Sequence, residues 1–113
     1  MGQPIDYPVD LKSRTKSVKL TLSSGAGSVP VAKDTGWIGV KPTASTAVVI
    51  ALDETPVAVG TKSGAAAEAD LTVGIPVDAS VWTWFYIGPS NNARTLNLVG
   101  GATDEITIVR IPA

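Results

Sequence analysis

Val81-Trp82-Thr83-Trp84-Phe85-Tyr86-Ile87 is the stretch from which the fold is read. It holds two of the three tryptophans, the one phenylalanine and one of the two tyrosines of the chain. Every residue in it is β-branched or aromatic, the side chains that suit a pleated, half-buried surface. Read with period two, Val81, Thr83, Phe85 and Ile87 point one way, and Trp82, Trp84 and Tyr86 the other. Both faces are largely apolar, so the expectation is a strand placed centrally in a sheet. One face meets the core. The other, carrying Trp82, Trp84 and Tyr86, meets a second sheet, a partner subunit or a ligand.

The segments on either side also read as β. Val18-Lys19-Leu20-Thr21-Leu22 alternates as a strand with one wet face, and Ser23 to Ser28 follows as a flexible turn. Val29-Pro30-Val31 is an edge piece, because Pro30 cannot donate to a ladder. Thr35 to Val40 is a strand closed by Lys41-Pro42. Thr46 to Leu52 is apolar and β-rich, as in a strand buried on both faces, and Val57-Ala58-Val59 continues it after the turn Asp53-Glu54-Thr55-Pro56. Gly60 to Asp70 reads as a long loop, with at most one helical turn over Ala65 to Ala69. Leu71 to Val77 leads into the aromatic strand, and Thr95 to Val99 and Glu105 to Ile111 complete the set. Short strands at roughly ten-residue spacing, with no convincing helix, predict an all-β domain. The expected architecture is an antiparallel β-sandwich or jelly-roll-like barrel of about seven to nine short strands.

A weak repeat runs through the chain. Val29-Pro30-Val31, Trp37-Ile38, Pro42-Thr43 and Asp53-Glu54 recur in order as Ile75-Pro76-Val77, Trp84-Phe85, Pro89-Ser90 and Asp104-Glu105. Pseudo-symmetric halves, one per sheet, would produce this. So would chance matching of turn-flanked strands.

Residues 1–16 differ from the rest and read as an extended N-terminal arm on a single body, 17–113. Pro4 and Pro8 keep the backbone extended, while Ile5, Tyr7, Val9 and Leu11 alternate. Such an arm either frays or adds to a neighbouring subunit as a strand. Residues 1–20 carry a net charge of +2 and the remainder −3. That asymmetry suits an arm laid on a neighbour, and equally a solvated terminus.

Composition narrows the chemistry. At 113 residues the chain is one domain. Charged residues make up 17%, against roughly 25% in an average soluble domain. Few charges cover the surface, so part of it is expected to be buried against other subunits in an obligate assembly. The net charge of −1 gives no field that favours nucleic acid. No apolar run is long enough to cross a membrane as a helix, and the N-terminus lacks the features of a secretory signal, so synthesis in a cytoplasm is expected. Without cysteine or histidine, thiolate chemistry and the commonest general base and metal ligand are missing. The expectation is therefore a protein that is not an enzyme, with no catalytic residue, no metal and no cofactor.

Individual motifs do not change that. Gly60-Thr61-Lys62-Ser63 fails as a phosphate loop, since a residue separates glycine from lysine and the upstream glycine is missing. Asp53-Glu54 and Asp104-Glu105 sit beside turns, where solvated acids are normal; an acid pair or calcium site would require the fold to bring them together. Trp82, Trp84 and Tyr86 are the one feature with real alternatives. Their spacing puts three rings in a row, which suits packing against protein or stacking on a linear glycan, with Asn91, Asn92 and Arg94 as polar surround.

Between about Thr43 and Gly100 the chain resembles a group of small tailed-bacteriophage virion proteins. The shared pattern comprises the apolar strand Val48 to Leu52, the acidic turn Asp53-Glu54, Val57-Ala58-Val59-Gly60 and Gly74-Ile75-Pro76-Val77. It continues with the aromatic run Trp84-Phe85-Tyr86-Ile87-Gly88 and the short strand Leu96 to Val99. An Ala-rich insertion after Gly60 departs from it. The resemblance implies a non-enzymatic virion component made in the bacterial host. In particular it implies a capsid decoration (cement) protein, a homo-oligomer (trimer or dimer) that binds the major capsid protein on the outer shell. Ile5, Tyr7, Leu11 and Arg14 are then the expected capsid or subunit contacts. Two alternatives are a glycan-binding β-sandwich of a tail or fibre, with Trp82, Trp84 and Tyr86 as platform, and a head–tail or baseplate subunit.

Overall fold

The computed structural model describes residues 15–43 and 47–113. The expected arm, with Ile5, Tyr7, Leu11 and Arg14, lies outside the described residues, as does Thr46.

The described chain forms eight strands: β1 (Lys16–Thr21), β2 (Ala26–Val31), β3 (Thr35–Pro42), β4 (Val48–Leu52), β5 (Ile75–Val77), β6 (Thr83–Tyr86), β7 (Arg94–Val99) and β8 (Glu105–Pro112). They build two antiparallel four-stranded sheets, with strand orders β1-β8-β3-β6 and β2-β7-β4-β5. The expected all-β sandwich is therefore the observed class. The pairings β1·β8, β2·β7, β3·β6 and β4·β5 are those of a jelly roll, a chain folded back on itself and then wrapped into two layers.

Period-two alternation explains the core. On the first sheet Leu20, Ile38, Val40, Phe85, Ile106 and Ile108 face inward; on the second Val29, Val31, Val48, Ile50, Val77, Leu96 and Leu98 do so. They form one buried hydrophobic cluster, against which the partly buried Leu20, Val29 and Phe85 pack. The expected two-sided burial of the strand before Leu52 holds for Val48, Val49 and Ile50. Ile50 and Val48 face the core, whereas Val49 faces away from it and is still only 2% exposed. It is covered by the loop 53–74: a Cβ added at Gly74 would meet Val49 Cγ1, with Pro56 Cβ 3.2 Å away. That loop is tied down by bonds from Asn97 Nδ2 to the Glu54 carbonyl (2.8 Å) and from Val57 N to the Val73 carbonyl (3.0 Å).

Several boundaries differ from the sequence reading. The turn after β1 is short, and Ala26 to Ser28 belong to β2. Val57-Ala58-Val59 is not a strand; Val57 and Val59 are exposed in the covering loop. The helical turn in that loop is a single 3-10 turn, Glu68–Asp70. Nor are the two halves of the chain one sheet each. Each half supplies two strands to each sheet, with β2 and β5 as the two proline-bearing edges of the second.

The largest correction concerns the aromatic strand. β6 is an edge strand whose one partner is β3. The reason is the wrap: the chain before β6 pairs with β4 in the second sheet, and the chain after it returns there as β7. Among the described strands none flanks the free edge of β6. An apolar run with two apolar faces thus ends up with one face on the core and the other on the outside.

Candidate functional site

The outer face of the first sheet carries the site. On β6 the outward residues are Trp82, just before the strand, then Trp84 and Tyr86; on β3 they are Trp37, Gly39 and Lys41. Register places Trp37 opposite Tyr86 and Gly39 opposite Trp84. The Trp37 and Tyr86 rings meet edge to face, with centroids 5.3 Å apart at 65°. The Trp82 and Trp84 rings stack, 5.4 Å apart at 19°. Lys41 Nζ stands 6.0 Å from the centroid of the Trp82 ring, at the outer limit of a cation–π contact.

Gly39 makes this packing feasible. A Cβ built there would lie 2.5–2.8 Å from Cζ3, Cη2 and Cε3 of Trp84. The indole therefore lies across bare backbone, in space that any side chain would occupy. On the far side of Trp37, the paired residue Ile111 of β8 is only 3% exposed although it points outward. The face thus has a packed base around Trp37 and Ile111 and an open flank, where Trp82 is 41% and Tyr86 63% exposed. Farther across, Lys19 and Glu105 form a loose exposed ion pair at 3.9 Å.

Sequence reasoning named Trp82, Trp84 and Tyr86, and the structure brings all three together. It missed Trp37, the third tryptophan of the chain. The pairing of β3 with β6 spans more than forty residues, and no local signal reports it. The flanking glycines of Gly36-Trp37-Ile38-Gly39 were the available hint, since a bare position beside a tryptophan leaves room for a second ring.

The polar surround expected of a sugar site is arranged differently. Arg94 turns inward beside Leu96 and donates from Nη2 to the Gly88 carbonyl (2.6 Å) and from Nη1 to the Ile87 carbonyl (3.5 Å). The Asn92 amide bonds Ser90 Oγ within the turn. The acidic doublets are kept apart. Asp53 Oδ1 accepts from the Thr95 amide at the start of β7, and Asp104 Oδ2 from the Gly101 amide beyond its end. A strand of that length separates them by about 20 Å. Lys62 pairs with Asp70 at 3.1 Å in the exposed loop. The Asp70 carboxyl lies below its ordinary value of 3.8, first because the Ala67 amide donates to it and then because of Lys62.

Indoles, a phenol and one ammonium thus share the outer face of the first sheet. Among the described residues, no helix is long and apolar enough to cross a membrane. Comparison of the chain with known protein families, curated proteins and solved structures found no match.

Proposed function

We propose that this chain is a non-enzymatic structural protein of a virion, a capsid decoration protein that attaches to the outer shell and stabilises contacts between major capsid subunits. The observation that carries this reading is the aromatic row on the outer face of the first sheet. Trp82 and Tyr86 project from a sheet that folding already holds rigid, so docking orders few side chains. Tryptophan and tyrosine are the residue types that most often dominate protein interfaces, and exposed apolar surface of this kind marks interaction sites. Each contact needs only standard size, roughly 1,200–2,000 Å², because a shell repeats it many times and an oligomeric ligand gains from multivalency. The added contacts then resist pressure from packaged DNA.

The test is sedimentation of the protein with expanded capsids that lack it. Co-sedimentation at a fixed ratio to the major subunit supports the proposal. A Trp82→Ala/Tyr86→Ala variant that still saturates the capsids would remove the aromatic row as the contact. A stable protein that ignores capsids altogether overturns the decoration role and favours a head–tail or baseplate position.

The second reading assigns the same face to a glycan, and the exposed Trp82 and Tyr86 rings favour it. The jelly roll serves capsid and lectin domains alike, so fold alone does not choose between them. The side-chain geometry weighs toward protein. Trp82 and Trp84 stack on each other, and Lys41 stands over Trp82, so those ring faces are already engaged. Quenching of tryptophan fluorescence by oligosaccharides, with no capsid binding, would reverse the preference.

A further inference from the structure

The two sheets do not close along the side where β1 and β2 form their edges. A groove of about 330 Å³ opens there, lined by Val18, Leu20, Val29 and Ile108 with Lys16 and Arg110 at the rim. Val18 faces the core side, as its alternation with Leu20 requires, yet it is 44% exposed. Among the described residues nothing covers the apolar interior at this place. Among the described strands the outward edge of β1 is also unpaired, β8 being its one neighbour. The edge of β2 is a poorer acceptor, because Pro30 has no N–H to offer.

We infer that this groove receives residues Ile5 to Leu11 of a second copy of the chain, added as a strand beside β1. The fourteen residues before Thr15 lie outside the described structure, and the chain enters it next to the groove at Lys16. Ile5, Tyr7, Val9 and Leu11 share one face of an extended segment, and that face matches the apolar floor. Asp6 and Asp10 share the other face, which lies on the same side of the sheet as Lys19 of β1. Seven extended residues span about 23 Å against about 20 Å for the six of β1. The donor is another copy rather than the same chain because Lys12-Ser13-Arg14-Thr15 contains no glycine, proline, asparagine or aspartate to reverse the chain tightly. A strand docked by backbone pairing with alternate side chains in a groove is a recurrent recognition mode. The inference concerns self-assembly and is independent of what the aromatic face binds.

The chain has no cysteine of its own, so paired single-cysteine proteins give a clean test. Leu11→Cys protein is mixed with Val29→Cys protein under mild oxidation; the control mixture uses Thr72→Cys, in the exposed loop. Docking predicts a disulfide-linked heterodimer in roughly tenfold excess over the control, because the bound arm holds the thiol at high effective concentration. Yields equal to the control overturn the inference. A protein carrying both cysteines in one chain should give linked oligomers; a closed monomer would mean that the arm serves its own chain, and overturns it too. A second measurement uses no cysteine. Deleting residues 1–14 should shift the sedimentation coefficient to that of a monomer, and an unchanged oligomer overturns the inference. No arm of the test involves capsids, so its outcome is separate from that of the lattice proposal.

Discussion

At Gly39 the absence of a side chain decides where an indole rests. The Trp84 ring occupies the volume a Cβ would take, and Trp82 stacks on Trp84 in turn. Gly39→Ala is therefore expected to displace Trp84 and cost about 1–3 kcal/mol through overpacking. Near-UV circular dichroism checks this, since the coupled signal of the two stacked indoles should collapse in Gly39→Ala and equally in Trp82→Phe. An unchanged spectrum would mean the ring has other room. Gly74 has a related role with a stricter constraint. Its φ of +129° is a conformation that side chains rarely adopt, and it closes over Val49.

The strands divide sharply by the cover they receive. β4 lies between β7 and β5 with the loop 53–74 above it, so Ile50→Ala, at a position 4% exposed, should cost about 2–5 kcal/mol in chemical denaturation. Val59→Ala, at a position 59% exposed in the covering loop, should stay within about 0.5 kcal/mol. A large loss there would mean the loop is packed more tightly than described. Within the loop, Asp70 titrates below 3.8 because its charged form accepts from Ala67 and pairs with Lys62. A depressed carboxyl favours the folded loop above its unfolded value, and the benefit is lost as pH falls through the lowered one. Followed through the Ala67 amide in an NMR titration, the midpoint should lie below 3.8. In Lys62→Ala it should move only part of the way back, since the amide bond remains. The strand before Leu52 was legible in the sequence because continuous apolar residues need cover on both sides. The same logic failed at Val81 to Ile87. Burial of the outer face there depends on a neighbouring strand that the wrap of the chain does not supply.

As a whole, the described residues present a packed core, an aromatic outer face and an open side between β1 and β2. If the aromatic row serves attachment rather than folding, Trp82→Ala/Tyr86→Ala should leave thermal stability close to that of the parent while abolishing capsid binding. A large drop in Tm would instead identify the face as part of the core. By itself the sequence determined the all-β class, most strand positions, the proline edge at β2 and the chemical character of the surface. These follow from period-two patterning, turn residues and residue types, which act over a few neighbours. Only the tertiary structure decided that β6 lies at an edge and that Trp37 joins Trp82, Trp84 and Tyr86. It also decided that the acidic doublets stay at opposite ends of β7. Each of these depends on which distant strands pair, and pairing is settled by how both sheets bury their inner faces together.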